Sequence, residues 1–201
     1  MKKIFYAAIP VLAVAAAFAV NVDPLPLGAP VPKPELKMKD VSGKEISLQE
    51  VQTSKGLLVM FSCNTCPYVV KNEQRTVAMG DFAAKLNVGV IIINSNEAYR
   101  GTEDSFEAMK EYASEKKYNW FYVVDKNSEV ADAFGANRTP ECFLFNKQLK
   151  LVYHGAIDDN PSDEAAVKRQ HLREAITEMA EGKEVSVKES RSVGCTIKRK
   201  A

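Results

Sequence analysis

An excess of charge of either sign is missing from this chain. Its 27 Lys and Arg stand against 26 Asp and Glu, a formal +1 over 201 residues. That removes the electrostatic case for nucleic acid as a partner. There is no internal repeat. Histidine is scarce: His154 and His171 have no catalytic partner in the sequence and read as structural or exposed. Cysteine is limited to four residues with a single Cys-x-x-Cys among them. A zinc site built on that pair needs two further ligands, and besides carboxylates only Cys142, Cys195, His154 and His171 are available. The length suits one globular domain with appendages.

What is present starts with a leader. Lys2-Lys3 precedes an apolar stretch from Ile4 to Ala19, broken only by Pro10. Ala17-Phe18-Ala19 is a small-x-small cleavage site, so residues 1–19 read as a secretory signal peptide cut after Ala19. The competing reading is an uncleaved membrane anchor, for which the apolar run is a little short. No Cys follows Ala19 to accept a lipid. Both readings export the domain to a place where disulfides persist.

Pro24, Pro26, Pro30 and Pro32, with Pro34 just beyond, make residues 20–33 an extended linker. Residues 36–40 and 45–48, around the turn signal Ser42-Gly43, read as a β-hairpin. Residues 57–61 and 88–93 are continuous apolar runs, hence buried strands. A helix runs from Cys66-Pro67 to near Leu86. Phe106, Met109 and Ala113 place another over 102–117, capped near Thr102 or Glu103. Strand 120–124 and a short helix 128–134 stopped by Gly135 follow. Then come strands 141–145 and 149–154. Leu172, Ala175, Ile176 and Met179 mark one face of a helix over 162–181, ended by Gly182. The folded domain is expected over 34–185, with a basic tail over 186–201. Alternating strands and helices in the middle demand a parallel core, and the closing strand pair adds antiparallel strands: an α/β sandwich on a mixed sheet.

Cys63-Asn64-Thr65-Cys66 sits where strand 57–61 gives way to a helix. Unpaired N–H groups at a helix start favour thiolate over thiol. Two thiols at this spacing close a small ring or open it. Exchange needs an attacking thiolate and a second thiol to resolve the mixed disulfide. Cys63, expected nearer the surface, is the attacker, and Cys66 the resolver. A ring this small restrains the unfolded chain little, which argues against a purely structural disulfide. Pro67 belongs in the first helical turn, where no N–H is needed. Cys142 reads as a buried strand residue. Cys195 is a third redox thiol if the tail folds back, and otherwise free or structurally paired.

Five segments appear in order: Phe61-Ser-Cys-Asn-Thr-Cys-Pro-Tyr68, Asp104-Ser-Phe-Glu-Ala-Met109, Arg138-Thr-Pro-Glu-Cys-Phe-Leu-Phe145, Ile157-Asp-Asp-Asn-Pro161 and Val193-Gly-Cys-Thr-Ile-Lys198. Together they resemble the peroxiredoxin-like branch of the thioredoxin-fold redoxins, the thioredoxin-family or AhpC/TSA-type proteins, over roughly residues 34 to 198. The resemblance implies a thioredoxin-like three-layer sandwich with an extra N-terminal β-hairpin, and thiol–disulfide redox activity. Thioredoxins carry Trp where Ser62 stands, and bury an acid in the strand that here spans 57–61 and has none. Peroxiredoxins place Thr three residues before the peroxidatic Cys; that position is Met60 before Cys63 and Cys63 before Cys66.

The resemblance also implies a substrate groove. A cis Thr139–Pro140 would sit against the motif and leave the Thr139 backbone free to pair with an extended segment. Asp158, Asp159 and Asn160 border that groove, as substrate contacts or as a helix cap and turn with Pro161. Arg138, if it faces the motif, lowers a thiolate pKa or holds a peroxide oxygen. The leading reading is an exported thiol–disulfide oxidoreductase without a bound cofactor, its partners protein thiols, disulfides or a redox protein. A thiol peroxidase, with Cys66 or Cys195 resolving, comes second. A non-catalytic module with a structural disulfide or metal comes third. Membrane contact is expected only if the leader stays uncleaved.

Overall fold

The computed structural model describes residues 23–200; residues 1–19, read from composition as a signal peptide, lie outside the described residues. Strands β1 (Met38–Asp40) and β2 (Glu45–Ile46) form the expected hairpin, with Met38 opposite Ile46. The second strand stops before Ser47 rather than running to Leu48. Ser47 accepts the Glu50 N–H, and the Glu50 carboxylate accepts the Ser47 N–H at 2.8 Å. This reciprocal cap starts α1 (Leu48–Val51).

The body of the fold follows. Strand β3 (Leu57–Ser62) leads into α2 (Pro67–Lys85), β4 (Gly89–Asn94), α3 (Phe106–Glu115) and β5 (Phe121–Val124). Helix α4 (Glu129–Phe134) and a two-residue strand β6 (Arg138–Thr139) come next, then β7 (Glu141–Phe145), β8 (Leu151–Gly155), α5 (His171–Ala180) and a second two-residue strand β9 (Cys195–Thr196). The main sheet has seven strands in the order β2-β1-β5-β4-β3-β7-β8, with β3, β4 and β5 parallel and the other pairings antiparallel. Two right-handed crossovers in one direction put α2 and α3 on the same face, and the return from β5 to β7 puts α4 on the other.

Alternate residues of the buried strands serve the two faces. Leu58, Met60 and Leu144 join Met79, Met109 and Ile176 of α2, α3 and α5. Leu57, Val59, Phe61 and Phe143 join α1 and α4, where Phe61, Phe134 and Phe143 meet edge to face with ring centroids 5.2 to 5.6 Å apart. The result is the three-layer α/β sandwich on a mixed sheet.

Two helices start later than their composition suggests. α3 begins after Ser105, whose hydroxyl accepts the Ala108 N–H, rather than at Thr102 or Glu103. α5 begins at His171 rather than near Ser162. The Asn160 side chain accepts the Ser162 and Asp163 N–H groups, and Asp159 accepts that of Lys168. These local bonds hold 158–170 as a loop, and the apolar face begins only at Leu172.

Neither flank is a free appendage. The N–H groups of Gly28 and Val31 donate to the carbonyls of Leu151 and Leu149, and that of Leu25 to Phe134. Further along β8, the His154 N–H donates to Lys188 and the Ser190 N–H to His154. The outer edge of the sheet is thus shared between the proline-rich segment and the tail, which satisfies backbone groups that an edge strand leaves open.

Candidate active site

Three of the four cysteines gather at the end of β3. Cys63 follows the strand, and Cys66 is the N-cap of α2, with Pro67 at the first helical position. The Thr139–Pro140 peptide is cis and lies alongside. Thr139 touches both sulfurs: its hydroxyl is 3.5 Å from Cys63 Sγ, and its carbonyl oxygen is 3.3 Å from Cys66 Sγ. Cys66 is not bonded to Cys63. Its disulfide partner is Cys195, 129 residues away, and Cys63 is a free thiol.

The tail brings Cys195 there. β9 pairs antiparallel with β6, placing Cys195 opposite Thr139 and Thr196 opposite Arg138. Ile197 is buried in the α1/α4 core, and its N–H donates to the Asn137 carbonyl. The Lys198 N–H donates to Asn96 Oδ1, and the Lys198 carbonyl accepts from Ala98. Under this cover Cys63 is only 2% exposed and Cys66 5%, so the first cysteine is not the more accessible one. Burial pushes the Cys63 thiol above its ordinary value. The Thr139 hydroxyl opposes this, the nearby Asp104 carboxylate adds to it, and the Cys66 and Thr65 N–H groups oppose it. The helix start therefore pulls toward thiolate as expected, but desolvation wins and Cys63 is held neutral.

Beneath the motif lies a closed polar network. Asp104, fully buried, accepts the Asn64 N–H at 2.9 Å, the Asn94 amide at 2.7 Å and the Asn96 amide at 2.9 Å. The Tyr122 hydroxyl donates to Asn64 Oδ1 at 2.8 Å, and the Asn64 amide donates to the Glu103 carbonyl. Asn64 is pinned at backbone and side chain alike, which fixes the turn carrying both thiols. Sequence reasoning missed this set. Asp104 opens the Asp104–Met109 segment and Asn94-Ser95-Asn96 reads as a loop; the signal for the network is polar residues set directly against buried strands.

The family model for redoxins, Redoxin, matches residues 26–170. The chain belongs to the Redoxin family. A solved structure of an uncharacterized conserved protein from Geobacillus kaustophilus is 35% identical with a TM-score of 0.81, covering 87% of this chain and 93% of that one. A hypothetical protein from Sinorhizobium meliloti is 32% identical, also with a TM-score of 0.81, over 89% of this chain and 97% of its own. The thioredoxin domain of a thiol-disulfide oxidoreductase from Bacteroides vulgatus shares the fold at 19% identity and a TM-score of 0.54, over 65% of this chain and 88% of that one. No curated protein matches the chain.

The other expected site residues of this redoxin fall in three places. Arg138 is exposed and turned to the tail, its guanidinium 3.5 Å from the Gly194 carbonyl and the Thr196 hydroxyl. Asp158 is 5% exposed and paired with Arg75 of α2 at 2.6 Å, while Arg75 also donates to the Asn160 carbonyl. The loop therefore clamps onto α2, and Asp158 is spent on that clamp. Asp159 accepts backbone N–H groups of the loop, which hold its carboxyl below the ordinary value. Cys142, fully buried in β7, has its thiol pushed far up by burial. His154 is buried rather than exposed: it meets Glu141 at 2.8 Å and stacks on Phe143 at 4.4 Å. Glu141 in turn accepts the Asn137 and Arg138 N–H groups, shaping the bend before Pro140.

Proposed function

We propose that this redoxin is an exported thiol–disulfide oxidoreductase whose exchange runs through Cys63 and Cys66, with no bound cofactor. The observation that carries the reading is the shared contact of both sulfurs with Thr139, at the head of α2 and beside Pro140. An external dithiol first reduces Cys66–Cys195; Cys63, no longer sealed beneath the tail, then gives up its proton and attacks one sulfur of a substrate disulfide, forming a mixed disulfide and expelling the other sulfur as a thiolate. Cys66, once free of Cys195, attacks Cys63 Sγ. The second substrate sulfur leaves, and two electrons have passed from the dithiol to the substrate. The reverse sequence oxidises a substrate dithiol. Protein thiols and disulfides are the partners, since the Thr139 backbone, paired with β9 in the Cys66–Cys195 form, is an edge that an extended segment can take when the tail withdraws. Export rests on the leader composition of residues 1–19.

Peroxide reduction needs donors aimed at the charge that develops on the peroxide oxygens. Arg138, the cation considered for that role, faces the tail. Disulfide exchange is therefore the favoured reading. Insulin reduction driven by dithiothreitol tests it: the full chain turns over and consumes hydrogen peroxide no faster than a free thiol of similar pKa. Peroxide oxidation of the reduced protein orders of magnitude faster than that, with idle insulin turnover, overturns the reading.

A further inference from the structure

We propose that Cys195 is a third redox-active cysteine of the exchange site, carried by a tail strand that fills the peptide-pairing edge at Thr139, and that the disulfide moves between Cys66–Cys195 and Cys63–Cys66. The proposal rests on the Cys63/Cys66 reading above and adds a step to it.

Three independent features support it. The first is position: β9 pairs with β6 at Thr139, the backbone edge that an extended substrate would use. The tail is thus an internal occupant of the groove. The second is fit. A Cβ on Gly194 would lie 2.2 Å from the Thr139 carbonyl oxygen and 3.2 Å from the Pro140 nitrogen, so only glycine lets the tail backbone come this close. The third is anchorage by contacts besides the sulfur. Ile197 is 3% exposed, the Lys198 backbone bonds to Asn96 and Ala98, and Arg199 pairs with Asp132 at 2.7 Å and donates to the Ala136 carbonyl. A tail held this way returns to the groove after its disulfide opens.

The third thiol, Cys63, packs in one cluster with Cys66 and Cys195. The step balances without an outside reagent. Cys63, neutral at rest, gives up its proton as its sulfur attacks Cys66 Sγ; the Cys63–Cys66 bond forms, the Cys66–Cys195 bond breaks, and the leaving Cys195 sulfur takes up that proton. No net electrons are exchanged. The released tail strand then leaves Thr139 open to a substrate segment.

The test is disulfide mapping of the full chain. Reduced protein is oxidised with diamide, quenched in acid, alkylated and digested, with insulin turnover measured in parallel. Wild type is expected to yield both linked peptides. Cys195→Ser yields only Cys63–Cys66, and Cys63→Ser only Cys66–Cys195. Gly194→Val keeps every thiol but crowds the tail, and shifts the ratio toward Cys63–Cys66 at least tenfold. Wild type with only Cys63–Cys66 and a fully alkylated Cys195 overturns the proposal, while active insulin turnover in the same sample leaves the oxidoreductase reading standing. A Cys66–Cys195 bond that Gly194→Val does not redistribute is a staple and also overturns the proposal; if insulin turnover is then absent too, the underlying reading falls with it.

Discussion

Residues 23–31 and 188–199 use the same means to very different ends. Each is polar or proline-rich, each borrows backbone partners from β8, and each is pinned by a single deeply buried aliphatic side chain, Val31 or Ile197. The first segment ends its work at the sheet edge, far along the chain from any thiol. The second goes on past β8 to Thr139, Asn96 and Cys66. Two flanks with similar docking thus differ in one respect: only the tail has a covalent bond that chemistry can open. The N-terminal flank should respond to changes in packing alone, and the tail to redox state as well.

The largest effect expected from breaking the tail's side of this comparison is loss of turnover. Cys63→Ser and Cys66→Ser each drop insulin reduction to background. Cys66→Ser also accumulates a mixed disulfide at Cys63, because attack survives and resolution fails. Trapping through Cys66 in the Cys63→Ser chain would reverse the roles. Amide hydrogen exchange sharpens the contrast. On reduction, the Ile197 and Lys198 amides should lose at least about tenfold of their protection, about 1.4 kcal/mol of local stability, while those of Gly28 and Val31 keep theirs. Equal loss in both segments would erase the distinction.

The pH dependence separates the two flanks further. Cys63 has its thiol raised above the ordinary 9.0 by burial under the tail. A group raised in this way contributes stability that is fully present below the unfolded thiol's value and is lost as pH rises through the higher folded one. The oxidised chain should therefore weaken on the alkaline side of 9.0, and Cys63→Ser should flatten that part of the denaturation profile. A profile unchanged by Cys63→Ser would mean that the thiol is not buried in the oxidised form. The smallest effect belongs to the other flank. Val31→Ala should cost roughly 1.5 kcal/mol in urea denaturation, the loss of buried methyl groups, and leave insulin turnover unchanged.

Much of the frame was legible because it is local. Apolar runs at 57–61 and 88–93 are short, continuous and bounded by polar turns, and with the strand expected over 141–145 they became β3, β4 and β7 within a residue or two. Cys63, Cys66, Thr139 and Pro140 were legible as motifs and meet in space. The partner of Cys66 was not: four cysteines allow three complete pairings, and nothing in their spacing selects one. Asp104 was missed because its role depends on donors from two segments distant from it in the fold's wiring, Asn64 in the motif turn and Asn94 and Asn96 at the end of β4. The docked flanks were missed because one Val or one Ile in a polar run carries no periodicity.

The way β8 is covered bears on solubility. Pro30 and Lys150 bridge at one end of that strand, and His154 and Glu189 at the other. A chain clipped by a protease ahead of Lys188 keeps its tail while the Cys66–Cys195 bond stands, and would lose the second cover together with Cys195 once that bond is reduced. The freed N–H and C=O of His154 would then face solvent as a template for a strand from another molecule, and shortening the tail would favour edge-to-edge aggregation as well as an exposed groove.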